Sequence, residues 1–248
     1  MIINLFTKIM LKNNAICDIL ILDEKMIRKG NMGMNITKVK VADIAADLGE
    51  ISTIFAFRPK GEQMRRNLEQ RVMSKLTDDC AVELDFIGIR MCDASFIDEF
   101  VLKAIENIIE MKKENMIYVC NVNQDIMESF HMAIVYRRHQ GQHLPVMQKE
   151  AENHYLPVGP LEKSLKIGLD ALLVHNKLNA KNFYEILKGS APEVSVANAN
   201  LILKRLYDYR LILRTKKKDE RGKYYDYYLP LSSQNIQASR KLSCVNYN

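Results

Sequence analysis

One stretch constrains this chain more than any other: Leu84-Asp85-Phe86-Ile87-Gly88-Ile89-Arg90-Met91-Cys92-Asp93-Ala94-Ser95-Phe96-Ile97-Asp98-Glu99-Phe100. Val82, Leu84 and Phe86 alternate as a half-buried strand does. Gly88 supplies a turn. From Phe96 the apolar residues recur at Phe100, Ala104 and Ile108, a helical stripe. The spacing therefore predicts a strand, a tight turn and a helix whose first turn holds Asp93, Ser95, Asp98 and Glu99. A serine at such a junction is a candidate switch, because a helix N-terminus accommodates phosphate.

Strands and helices alternate on either side of this segment. Met34–Val41 reads as a first strand and Asp43–Leu48 as a short helix stopped by Gly49. Ile51–Phe57 reads as a strand, and Gly61–Leu76 as a helix with Met64, Leu68, Val72 and Leu76 four apart. Ala81–Phe86 (strand), Ser95–Lys113 (helix), Met116–Cys120 (strand) and Gln124–Arg138 (helix) follow. A hairpin of Leu144–Gln148 with His154–Val158 closes the series. The pattern predicts an α/β fold with helices packed on a mixed sheet.

The residues Asp85, Gly88, Ile89 and the loop Asp93-Ala94-Ser95 resemble the STAS fold, the family of anti-sigma-factor antagonists. The family pattern runs Asp, two residues, Gly, a β-branched residue, then an Asp-Ser-Ser/Thr-Gly loop. Ala94 stands here for the first Ser and Phe96 for the usual Gly. The Phe96-x-Asp98-Glu99 ending is more similar to the STAS-like branch, whose function is undefined and whose members accompany or join a histidine-kinase-type ATPase. The resemblance spans residues 34–157 and is tightest over Leu84–Phe100. It implies phosphorylation at Ser95 by a partner kinase. We take Asp93, Asp98 and Glu99 as candidate partner-binding residues. Two structural readings stand beside these: Ser95 with Asp98 fits an S-x-x-D capping pattern, and acids in a first turn complement the helix dipole.

Gly159-Pro160 punctuates the chain. Pro160–His175 is predicted helical, with proline suited to the first position. Asn179 can cap a helix Ala180–Leu187 closed by Gly189, Pro192 marks a turn, and Ser195 can cap Val196–Tyr209. Leu211–Thr215 and Tyr224–Leu229 read as strands around a polar turn, Lys216–Lys223. This order, with the Leu206-Tyr207-Asp208-Tyr209-Arg210-Leu211-Ile212 junction, resembles winged helix-turn-helix regulators of the MarR-like kind. Arg210 stands where their Gly is usual. The predicted core face of the third helix is Val196, Ala199, Ile202, Leu203 and Leu206. Its outer face then carries Asn198, Asn200, Leu201, Lys204 and Arg205. Asparagine can pair with adenine, and lysine or arginine with guanine or phosphate. We take Asn198, Asn200, Lys204, Arg205, Lys216, Lys217, Lys218 and Arg221 as candidate DNA-binding residues. Arg214 and Lys223 extend the basic hairpin. Leu201 is out of place on a base-reading face and equally fits a protein contact.

Charge separates the two halves. Residues 161–248 hold 16 Lys/Arg against 8 Asp/Glu, whereas the first 160 hold 20 against 22. Only the C-terminal part is thus suited to nucleic acid. Cysteines 17, 80, 92, 120 and 244 form no CxxC pair, which fits reduced thiols and a cytoplasmic setting. No apolar run reaches the roughly 18 residues that span a membrane. Asp18 interrupts the apolar run Ala15–Leu22, and no small-x-small site follows it, so a signal peptide is not expected. Residues 1–33 are either an over-extended gene start, with Arg28-Lys29-Gly30 encoded by a ribosome-binding-like stretch, or a true extension carrying a strand Ile16–Leu22. The sequence leaves both open.

No Gly-rich phosphate loop is present. His139 and His143 are separated by Gly141, and Cys92 has no histidine partner in view. No metal, cofactor or enzymatic activity is expected. The sequence reading is four segments: an extension (1–33), a STAS-like domain (34–158), a winged helix domain (159–231) and a flexible tail (232–248). Together they suggest a cytoplasmic transcription regulator, with double-stranded DNA, a histidine-kinase-like ATPase or other protein, and a second copy of the chain as candidate partners. The alternative is an interaction adaptor in a defence or anti-sigma-type circuit, whose winged helix binds protein. A weaker third reading is an enzyme using Asp93, Asp98 and Glu99.

Overall fold

The computed structural model describes residues 36–77, 80–151, 154–188, 195–220 and 222–230. The N-terminal extension, Gly189, Pro192, Arg221 and the tail lie outside the described residues. The fold is mixed α/β, built on a five-stranded sheet of order β1-β3-β5-β6-β7. Its strands are β1 (Ile36–Lys40), β3 (Ala81–Asp85), β5 (Met116–Cys120), β6 (Val146–Ala151) and β7 (His154–Val158). The first four run parallel, and β7 returns antiparallel to β6. A separate parallel ribbon pairs β2 (Ile54–Phe55) with β4 (Met91–Cys92). The predicted strand Ile51–Phe57 is thus only two residues long.

Helices α1 (Val41–Asp47), α2 (Arg58–Arg71), α3 (Ala94–Ile97), α4 (Lys103–Glu110) and α5 (Gln124–His139) accompany the sheet. A π-turn, Asp98–Leu102, joins α3 to α4, so the predicted single helix Ser95–Lys113 carries an inserted residue near its start. α2 begins at Arg58 rather than Gly61, with Pro59 in its first turn. Gly61 is needed there: a Cβ would lie 2.9 Å from the Phe96 carbonyl oxygen. That close approach lets α2 pack against α3 and the π-turn. Val82, Leu84, Phe86, Phe96, Phe100 and Phe130 belong to the core between the helices and one sheet face.

The C-terminal segment runs α6 (Lys163–His175), β8 (Lys177–Asn179), α7 (Ala180–Lys188), α8 (Val196–Asp208), β9 (Leu213–Asp219) and β10 (Gly222–Tyr228). The helix expected from Pro160 starts three residues later. β8 adds a third strand to the hairpin, in the order β8-β10-β9. Asn179 caps α7 by accepting from the Asn182 amide (2.9 Å), and Ser195 caps α8 through the Asn198 amide (3.2 Å). Arg210 has φ +57°, the left-handed region where glycine is normally preferred. Its guanidinium lies 4.6 Å above the Tyr207 ring and donates to the Tyr207 carbonyl (2.9 Å), which holds a bulky residue in that conformation.

The described residues, which run from Ile36 to Pro230, fall in one compact unit. Ala81, Met116, Tyr118, Met147 and Tyr155 of the sheet belong to the same core as Leu165, Phe183, Leu203 and Tyr227 of the C-terminal segment. The Tyr155 hydroxyl donates to the Pro230 carbonyl (2.6 Å), and Arg214 pairs with Glu114 (3.0 Å). The segments on either side of Gly159-Pro160 therefore share a core, one covering the sheet face that the other leaves open. Among the described residues no helix is long and apolar enough to cross a membrane.

Candidate interaction surfaces

The first surface is organised by Asp93, which follows β4. One carboxylate oxygen accepts from the Phe96 amide (2.6 Å) and the Ser95 hydroxyl (2.8 Å). The other accepts from the Phe57 amide (3.0 Å). Asp93, not Ser95, is therefore the N-cap of α3, and the expected capping role of Ser95 is corrected. Ser95 sits inside the first turn, half-buried, with its hydroxyl spent on the capping carboxylate. Burial pushes the Asp93 carboxyl up, but the Phe57 and Phe96 amides and the Ser95 hydroxyl outweigh it and hold it below the usual carboxylate range. Phe57 has φ +70°, so Asp93 also fixes a strained residue at the start of α2. The Phe96 ring is fully buried and lies 5.4 Å from both Phe55 and Phe100, which explains an aromatic residue at this place.

Exposed apolar side chains lie on the segments that lead into this cap. Ile54 and Met91 are paired on the β2–β4 ribbon, Phe57 follows β2, and Ile87 lies in the turn before β4. All four are exposed, Phe57 by 72%. Asp85 builds that turn by accepting from the Ile87 amide (2.9 Å) and from Asn121 (2.7 Å).

Asp98 and Glu99 are committed inside the fold. Asp98 is buried, pairs with Arg137, and binds Arg58 at 2.6 Å. Glu99 binds Arg65 at 2.9 Å. Arg137 also reaches Glu106 (3.3 Å), which Lys103 holds at 2.7 Å. Burial raises the Glu106 carboxyl, but Lys103 and Arg137 bring it below its ordinary range. Arg58, Asp98, Glu99, Lys103, Glu106 and Arg137 line a cleft of about 260 Å³ whose carboxylates all have cationic partners. Among the described residues no group of histidine, cysteine, aspartate or glutamate is placed to hold a metal ion. The Cys92 thiol is buried and is pushed up to about 12 by burial and by Asp93, which leaves it protonated and unreactive.

The second surface lies on the C-terminal segment. On α8, Ala199, Leu203, Leu206 and Tyr207 are buried, while Ala197, Asn198, Asn200, Leu201 and Lys204 are exposed. Val196, predicted as core, is 44% exposed, because the helix buries little before Ala199. Lys204 lies 3.8 Å from Asp208. Arg205 makes a two-pronged contact to Glu162 ahead of α6, at 2.8 and 2.5 Å, so it is less accessible than the sequence implied. The His143 ring stands edge-on to Tyr209 at 5.2 Å, and burial followed by nearby Arg138 lowers its proton affinity.

Lys216, Lys217 and Lys218 lie in β9 and not in a turn, because β9 runs on to Asp219 opposite Gly222. Strand alternation puts Lys216 and Lys218 on one face. Their cross-strand neighbours there are Tyr225 and Lys223. Lys217 points to the other face, opposite Tyr224. Arg214 is no part of the accessible cluster. Its guanidinium is held between the Tyr207 ring (3.9 Å) and the Tyr225 ring (4.3 Å) and bound to Glu114. Lys223, which was not among the candidate DNA-binding residues, joins Lys216 and Lys218, and all three are exposed. No family model, curated protein or solved structure matches the chain.

Proposed function

We propose that the protein is a cytoplasmic, non-enzymatic transcription regulator, in which a STAS-like input domain is joined to a winged helix that binds double-stranded DNA as a homodimer. The observation that carries this reading is the C-terminal pairing of an exposed polar helix, α8, with three exposed lysines on one face of the following hairpin. A helix suited to the major groove followed in the chain by cations suited to phosphate is the pattern of groove recognition. On the input side, Ile54, Phe57, Ile87 and Met91 around the Asp93 cap offer an apolar contact for a protein partner, with a histidine-kinase-like ATPase as the candidate. A phosphate on Ser95 would remove a donor from Asp93 and place new negative charge beside it.

The test is binding of the full chain to a random-sequence duplex between low and high salt. Affinity that falls linearly on a log–log plot supports the reading, and no affinity at low salt refutes it. A second reading, an adaptor whose winged helix binds protein, is favoured by the 54% exposure of Leu201 at the centre of the outward face of α8. Under that reading Leu201→Asp abolishes partner binding and the lysines are neutral to it.

A further inference from the structure

We propose that α8 selects adenine–thymine base pairs, with Leu201 contacting the 5-methyl group of thymine and Asn198 pairing with adenine. The inference rests on the DNA-binding reading and names its ligand. A helix turns about 100° per residue, so the buried line Ala199, Leu203, Leu206 fixes what lies opposite. Leu201 is at the middle of the opposite line. Ala197 and Asn198 precede it by one turn and Lys204 follows by one turn, and all four are exposed.

The chemistry of this face is selective by what it holds and where its cations are. In the major groove adenine shows an acceptor beside a donor, which a carboxamide matches with its own donor and acceptor. Guanine shows two acceptors and is matched by arginine or lysine. Residues 196–203 contain no lysine or arginine. The first cation, Lys204, lies near Asp208, and Arg205 is bound twice by Glu162. The leading half of the helix is therefore furnished with amides and small apolar groups. A leucine 54% exposed at the centre of such a face has no polar function there. The thymine methyl is the apolar group that a major groove offers it. The lysines of the hairpin face add affinity for phosphate without distinguishing bases.

The experiment uses the full chain and three alternating duplexes, poly(dA-dT), poly(dA-dU) and poly(dG-dC), at one salt concentration with anisotropy readout. Poly(dA-dU) keeps every hydrogen-bonding group of the A·T pair and lacks only the methyl. Expected affinities fall in the order dA-dT, dA-dU, dG-dC. The methyl accounts for about 4-fold per contact, and loss of an asparagine–adenine pair for roughly 5- to 150-fold. Leu201→Ala, a change on the surface, should bind the first two duplexes equally. Asn198→Ala should bind poly(dA-dU) and poly(dG-dC) alike while keeping the gap between thymine and uracil. The proposal is overturned if wild type binds the thymine and uracil duplexes alike, if it prefers poly(dG-dC), or if Leu201→Ala retains the gap. In each of those cases DNA binding itself survives. No affinity for any of the three at low salt overturns the DNA reading and this proposal with it.

Discussion

Removing Lys216 and Lys218 together should change the salt dependence of DNA binding in a way that removing Lys217 does not. The first two share a face of β9 with Lys223, and Lys217 is on the reverse. A duplex lying against one face meets the first set only. Each phosphate neutralised contributes about 0.9 to the slope of log affinity against log salt. The Lys216→Ala/Lys218→Ala variant should therefore flatten the slope by about 1.8, and adding Lys223→Ala by about 2.7 in all. Over a fourfold rise in salt, wild type should lose roughly 12-fold more affinity than the double variant. Lys217→Ala should leave the slope unchanged. The assay is a salt series of anisotropy titrations on a random duplex, with circular dichroism to confirm folding. Equal losses for all the lysines would mean a diffuse positive cloud, and the assignment to one face would be wrong.

Asp93→Ala should cost about 0.5–2 kcal/mol in urea unfolding as a lost cap, with a further loss from the Phe57 amide it leaves unpartnered. The folded Asp93 carboxyl titrates below its unfolded value of about 3.9, so its stabilisation is complete above that value and disappears as pH falls through the lower, folded one. Asp93→Asn should accordingly flatten the loss of stability below about pH 4. At Arg210 the usual order reverses: Arg210→Gly should remain within about 0.5 kcal/mol of wild type, because it relieves the left-handed backbone while losing the ring contact. Arg210→Ala, which keeps the strained backbone, should lose about 1–2 kcal/mol by thermal or urea melts. Glu162→Gln should release Arg205 and steepen the salt slope by about 0.9 if that arginine then reaches phosphate; an unchanged slope would place Arg205 away from the DNA.

Local pattern made most elements legible. The apolar stripe at Met64 and Leu68, the Gly49 stop and the Ser195 cap all lie in α-helical settings set by neighbours in sequence. What was not legible depends on distance along the chain. β8 has three residues, too few for alternation to register, and exists because β10 pairs with it. The fate of Asp98 is decided by Arg137, 39 residues away, and an acid in a first turn looks the same whether it meets solvent or a buried guanidinium. One long-range feature did leave a signal. Met116-Ile117-Tyr118-Val119-Cys120 does not alternate, and all five residues are buried. A strand apolar on both sides needs cover on both sides. The helices of the first part supply one cover, so the other has to come from the C-terminal segment.

That borrowed cover has a consequence for synthesis. When the ribosome has delivered the last strand of the five-stranded sheet, Tyr118, Met147 and Tyr155 still face water, because their partners, among them Leu165, Leu203 and Tyr227, have not yet been made. A sheet in that state exposes apolar surface, the condition under which incomplete chains aggregate. Closure waits for residue 230, whose carbonyl receives the Tyr155 hydroxyl. The chain thus completes its fold late, through contacts far apart in sequence. A frameshift or truncation within the last two strands removes Tyr227, Leu229 and the Pro230 acceptor from the cover of the sheet, and either half exchanged for a foreign one needs a matching surface on the other.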